Sequence, residues 1–156
     1  MLLYLIDDFQ VRVQIKMMFL ILFAYVTVSA ADIYQTSSEQ GLRSNAIVCL
    51  DSVYINEGQA YNPSTGKFTA PRDGIYKFEW TFLTKPGHLF ISALVRNGKI
   101  VAYNHAGDHQ NNNWDSSTQS VFLRLTKGEQ VWIQVRGGDG RYLHGDTYST
   151  FSGQSI

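Results

Sequence analysis

The stretch YNPSTGKFTAPRDGIYKFEW, residues 61–80, decides the fold class. Its rings are Tyr61, Phe68, Tyr76, Phe78 and Trp80, and between them stand Asn62-Pro63, Thr65-Gly66, Ala70-Pro71 and Asp73-Gly74. Proline presets φ, and glycine and asparagine accept positive φ, so these pairs mark chain reversals. After the last pair the chain alternates. Tyr76, Phe78, Trp80 and Phe82 fall on one row, Lys77, Glu79 and Thr81 on the other, which is the two-residue period of a half-buried strand. The rings are predicted to face a core, where each buries a large area against a pleated surface.

The same stretch holds Thr65-Gly66-Lys67, which raises the question of a phosphate loop. That loop needs a glycine five positions before Gly66 and a hydroxyl residue after Lys67. Tyr61 and Phe68 occupy those positions. The glycine-rich GGDGRYLHG fails as a dinucleotide fingerprint, because Leu143 stands where the third glycine belongs.

Downstream, Thr84-Lys85-Pro86-Gly87 predicts a turn, and Asn97-Gly98 between two apolar runs predicts a type I′ hairpin. A polar loop is expected from Ala106 to Thr118. Val121, Leu123 and Leu125 then alternate with Phe122 and Arg124, and Val131, Ile133 and Val135 with Trp132, Gln134 and Arg136. Gly137 to Gly140 reads as a second loop, and a last strand starts near Tyr148. Many short strands with regular turns indicate a sandwich or barrel.

Upstream, Met17 to Ala30 (MMFLILFAYVTVSA) is an apolar run of 14 residues ending in Val28-Ser29-Ala30, with Arg12 and Lys16 before it. It is short for a ~30 Å hydrocarbon core. Residues 1–30 are therefore read as a cleaved signal peptide with no membrane anchor, with Met1, Met17 or Met18 as the start. Residues 31–45 are a polar segment or weak first strand, and residues 46–156 form the domain. Lys and Arg number 13, as do Asp and Glu, and no basic run occurs, which argues against nucleic acid or an anionic membrane surface as partner. The single cysteine, Cys49, has no partner in the chain and is read as a buried thiol among Ile47, Val48 and Leu50, or as an intermolecular link.

From Leu50 the spacing runs six residues to Asn56, five to Tyr61, seven to Phe68 and six to Gly74, then to Tyr76, Phe78 and Trp80. This pattern resembles the signature of the globular head of complement C1q, with Leu50 where Phe is usual and Trp80 where Phe or Tyr is usual. GKFTAP, PRDGIYKF, VRNGK, LTKGEQVWIQV and YSTFSG are similar to that family's strands. The resemblance covers roughly Ala46 to the C-terminus. It implies an all-β, ten-stranded jelly-roll sandwich like that of tumour necrosis factor, with Leu50, Tyr61, Phe68, Gly74, Tyr76, Phe78 and Trp80 as structural core. No Gly-x-y repeat is present, so the chain resembles the short, secreted, head-only members. The family's first strand has ADIYQTSS as its one candidate here. A homotrimer is implied, as is calcium in some members, although no ligand motif here matches.

The sequence offers no catalytic elbow of the Gly-x-Ser-x-Gly kind and no His-Glu-x-x-His, so no enzyme is expected. Of the four histidines, His88, His105, His109 and His144, the pair His105 and His109, with Asp108, has a metal-like spacing but lies in a polar, Asn-rich segment and reads as solvated loop residues. The run from Asp108 fails as a calcium loop, since Asn113 replaces the glycine and Gln119 the glutamate. No metal and no cofactor is assigned. Candidate ligand-binding residues are Asn111, Asn113 and Trp114, where a ring amid amides could stack on a sugar or cap the sandwich, and Arg141, Tyr142 and His144, on a glycine-bearing loop or simple connector. The expected function is a secreted recognition module of innate immunity that binds glycans or microbial surfaces. The alternative is an extracellular signalling or scaffold ligand that engages a protein receptor through a trimeric head.

Overall fold

The long strand β5, Gly74–Thr84, organises the molecule, because it carries the alternating rings along its whole length. Its row Tyr76, Phe78, Trp80 and Phe82 is fully buried, while Ile75 is exposed and Lys77, Glu79 and Thr81 are half-buried on the outer face. The computed structural model describes residues 28–31, 42–110, 112–138, 143–145 and 147–156. Residues 1–27 of the expected signal peptide, residues 32–41, Asn111, Arg141 and Tyr142 lie outside the described residues.

Among the described residues there are eleven strands: β1 Val28–Ala31, β2 Val53–Asn56, β3 Tyr61–Asn62, β4 Lys67–Thr69, β5, β6 Phe90–Arg96, β7 Lys99–Ala106, β8 Asp115–Leu125, β9 Gln130–Gly138, β10 Leu143–His144 and β11 Thr150–Ser155. The one helical piece among them is a 3₁₀ turn, Glu57–Gln59. One sheet runs β8-β5-β11-β1-β2. β8 occupies one edge of β5 throughout, so β10 and β11 share the other edge, end to end. The second sheet runs β3-β4-β9-β6-β7. All pairings are antiparallel, and the chain passes repeatedly from one layer to the other, as the jelly roll expected from the resemblance requires.

The rings join the layers. Phe68 of β4 meets Tyr76 and Phe78 of β5 edge-on, at 5.6 and 5.2 Å between centroids. Phe82 and Phe90 pack perpendicular at 5.1 Å. Such edge-to-face pairs add to the area they bury. The buried Trp80 indole donates to Ser92 Oγ across the sandwich at 3.1 Å, so its one polar atom is satisfied.

The spacing from Leu50 to Tyr61 has a local cause. The Asn56 side chain accepts from the Tyr61 N–H at 3.1 Å and donates to the Tyr61 carbonyl at 2.8 Å, standing in for a strand neighbour. The Tyr61 hydroxyl accepts from the Leu50 N–H at 3.1 Å and donates to the Leu50 carbonyl at 3.2 Å. Burial, the largest cause, pushes the Tyr61 phenol up to about 12, so it stays a neutral donor. Leu50, Tyr61 and Phe68 are buried, and Gly74 is half-buried at the start of β5.

The turns follow their residues. Asn97 and Gly98 take φ of 47° and 83°, the two positive values of a type I′ hairpin. Gly66 takes φ of 67°, and its amide donates to the Asn62 carbonyl at 2.9 Å. That amide is engaged within the turn, away from any phosphate role.

Several boundaries differ from the sequence reading. The polar loop expected up to Thr118 ends at Trp114, and Asp115–Leu125 pairs with β5 over all eleven of its residues. Ser116, Thr118 and Ser120 are the solvated row of a strand, so their polarity imitates a loop. The Gly137–Gly140 loop begins later, because β9 continues to Gly138, and the last strand starts at Thr150. An N-terminal strand is described at Val28–Ala31, its last residue the first of ADIYQTSS, and it pairs with both β11 and β2; the rest of ADIYQTSS lies outside the described residues.

Candidate functional site

At the end of the sandwich where β5 finishes, three side chains converge. Trp114 lies one residue before β8, which flanks β5 on one edge, and His144 lies on β10, which flanks it on the other. Leu83 is the β5 partner of both Ser116 and His144, so the two flanks are held at one level. Leu143 is fully buried, which turns the neighbouring His144 to the outer face. The Trp114 and His144 rings are 4.9 Å apart between centroids and tilted by 58°. His144 and Tyr148 are 5.2 Å apart and tilted by 40°.

Tyr148 is placed by its turn. Its N–H donates to the Gly145 carbonyl at 3.1 Å. The next residue, Ser149, is fully buried, donates to the His144 carbonyl at 2.5 Å and accepts from the Leu83 N–H at 3.3 Å. This pins the loop to β5 and leaves the ring outside. Trp114 is 50% exposed and Tyr148 57%, so together with the half-buried His144 they form a solvent-facing row of rings. A large aromatic cluster left in water is the informative kind of surface.

Of the sequence candidates, Trp114 and His144 are therefore brought together. Asn113 is exposed beside Trp114. Asn111, Arg141 and Tyr142 lie outside the described residues. Trp114 is half exposed, with its ring against His144. Sequence reading missed Tyr148 and assigned it to a strand; its only signal was a ring standing alone in the polar stretch from Thr147 to Thr150.

His105 belongs to β7, as a solvated strand residue and not the loop residue expected, and His109 is exposed with Nδ1 3.4 Å from the Gly87 carbonyl. Among the described residues no three His, Cys, Asp or Glu side chains converge on a point. Cys49 is half-buried and free; burial first, and then Asp51, raise its thiol. No helix among the described residues is long and apolar enough to cross a membrane. A second exposed apolar group lies at the opposite end of the same sheet. There Phe122, Ile75 and Ile156 face solvent, and the Ile156 N–H donates to the Ile75 carbonyl at 2.9 Å.

Comparison with known proteins agrees with this architecture. The globular domain of zebrafish complement 1qA superposes with a TM-score of 0.67 at 17% identity, covering 83% of this chain and 96% of that one. The Eiger tumour necrosis factor of S. frugiperda gives 0.63 at 12%, covering 85% and 93%. In sequence, a complement C1q subcomponent of Mus musculus is 33% identical over 110 residues, 70% of this chain and 43% of the mouse protein. Heavy metal-binding protein HIP of Mytilus edulis is 34% identical over 117 residues, 73% of this chain and 54% of the mussel protein. The chain spans about half the length of these relatives. The model of the C1q domain matches residues 30–155, and the chain belongs to the C1q domain family.

Proposed function

We propose that this C1q-domain protein is a secreted, non-enzymatic recognition module that binds glycans on extracellular or microbial surfaces, in the manner of innate immunity. The observation that carries the reading is the exposed row Trp114, His144 and Tyr148. Rings present an apolar face for the C–H side of a sugar, while neighbouring amides and hydroxyls serve its hydroxyl groups. Asn112, Asn113 and Ser116 supply those groups beside Trp114. A chain with equal numbers of cationic and anionic residues has no strong field for charged polymers, which suits neutral ligands. The absence of a catalytic motif from the sequence is in keeping with binding rather than turnover.

Assembly as a homotrimer belongs to this reading. It is supported by family membership and by the exposed Phe122, Ile75 and Ile156, an apolar group that a second copy would cover. The alternative, a signalling or scaffold ligand for a protein receptor, uses the same trimeric head and is favoured by the tumour necrosis factor likeness in fold alone. A glycan array with the secreted chain separates the two. The expected result is binding to a subset of glycans without added protein. A blank array with a protein of normal melting behaviour would reject the glycan reading and leave the receptor ligand.

Secretion implies removal of the leader after Ala30, giving Ala31 as the first residue. Such a cut leaves one residue of β1. N-terminal sequencing of secreted material is expected to read from Ala31, and an intact membrane-retained chain would contradict it.

A further inference from the structure

The β6–β7 hairpin turns on Asn97-Gly98, and Asn97 is the one asparagine of the chain followed by glycine. That pair carries its own chemistry. A backbone nitrogen can attack the carboxamide before it, and glycine leaves the approach open. Asn97, Gly98 and Lys99 are all exposed, and beyond the chain neighbours no atom lies within 4 Å of where a Gly98 Cβ would stand. We infer that Asn97 is a self-modification site whose conversion to aspartate or isoaspartate is held back by the Glu129 carboxylate, and that conversion unties the β6–β7 hairpin from the β8–β9 turn. The reaction needs only water. The Gly98 nitrogen gives its proton to solvent and bonds to Asn97 Cγ. The Cγ–Nδ2 bond breaks, Nδ2 takes a proton from solvent and leaves as ammonia, and a succinimide ring remains. Water then opens that ring at one of its two carbonyls. Opening at Cγ gives aspartate; opening at the Asn97 main-chain carbonyl gives isoaspartate.

The fold opposes the first step. Asn97 Nδ2 donates to Glu129 Oε1 at 2.8 Å, and Asn97 Oδ1 accepts from the Gln130 N–H at 2.9 Å, so both polar atoms of the carboxamide are committed to the start of β9. The Asn97 N–H donates to the Gln130 carbonyl at 3.0 Å, which fixes the main chain on the same neighbour. Glu129 is itself held in place by Arg96 and by the Thr126 N–H. Swinging Cγ onto the Gly98 nitrogen breaks both side-chain bonds, so the rate follows the population of the opened hairpin. The product then inverts the contact. Where Nδ2 donated, a carboxylate oxygen faces the Glu129 carboxylate; a hydrogen bond is lost and two like charges meet. Isoaspartate also inserts a methylene into the main chain, which a two-residue turn closed by the Arg96–Lys99 pair does not accommodate.

The test follows conversion at Asn97 by peptide mapping with mass spectrometry, in the secreted full chain kept at mildly alkaline pH, both native and unfolded in urea. Conversion in the native chain is expected to run at least about tenfold slower than in urea. Glu129→Ala, checked by circular dichroism to be folded, should convert several-fold faster than wild type in the native state. Should that variant fail to fold, Glu129→Gln, which keeps an acceptor for Asn97 Nδ2 without the charge, takes its place with a smaller acceleration. Asn97→Asp, one of the two products, should melt below wild type at neutral pH, and the gap should close as pH falls through the carboxylate range and the repelling oxygens take up protons. No conversion at Asn97 in urea would overturn the site. Equal native and urea rates, or no acceleration in the Glu129 variants, would overturn the restraint. An Asn97→Asp chain that melts with wild type at every pH would overturn the untying.

Discussion

Phe78 lies in β5 with Phe68 edge-on at 5.2 Å and Phe151 stacked at 6.0 Å. Truncating a buried ring removes its burial and leaves a cavity that the surrounding rings cannot fill. Phe78→Ala is therefore expected to cost ~3–5 kcal/mol. Lys77, one residue away on the outer row, has only its 2.9 Å pair with Glu79, and both partners are partly solvated. Lys77→Ala should stay within about 0.5 kcal/mol. A urea titration of both variants checks this, and equal losses would contradict the assignment of rows. These residues were legible in the sequence because a two-residue period is written directly in side-chain type. Tyr148 was not, because its meeting with His144 is made by the Gly145 turn and the buried Ser149 hydroxyl, and no period records either.

At the scale of elements, Glu129 ties the β6–β7 hairpin to the β8–β9 turn. Its carboxylate accepts from Arg96 Nε at 3.0 Å and Nη2 at 2.8 Å, from Asn97 Nδ2 at 2.8 Å and from the Thr126 N–H at 2.8 Å. The Thr126 N–H first, and then Arg96, hold this carboxyl below its ordinary 4.5. A depressed folded value means that the stabilisation is fully present above the unfolded value and is lost as pH falls through the folded one. The decline in wild-type Tm from about pH 5 downward should therefore be flattened in Glu129→Gln, which should also melt lower than wild type at neutral pH. Parallel pH profiles from scanning fluorimetry would contradict this. The hairpin itself was legible from Asn97-Gly98, since few residue pairs accept two positive φ values. The start of β8 was not, because serines and threonines on the solvated row of a strand have the composition of a loop, and only pairing with all of β5 distinguishes them. β1 was hidden for a similar reason, since Val28–Ala31 reads as the end of an apolar leader.

For the whole molecule, the family and the layered fold were legible because eight positions keep their spacing, and Leu50, Asn56 and Tyr61 among them have direct contacts that explain it. Assembly and ligand were not, since both depend on which side chains the fold leaves in water. Phe122, 62% exposed, is the side chain expected to matter for association. Light scattering is expected to show a trimer for the secreted chain and for Cys49→Ser, and a smaller species for Phe122→Glu. Loss of the trimer in Cys49→Ser alone would make the thiol an intermolecular bridge. The ring row makes the sharper demand. With a glycan selected on the array, calorimetry should show Trp114→Ala binding at least about tenfold more weakly than wild type, in keeping with the ~1–2 kcal/mol of a stacked ring, at unchanged Tm. Unchanged affinity at unchanged Tm would contradict recognition through Trp114, His144 and Tyr148.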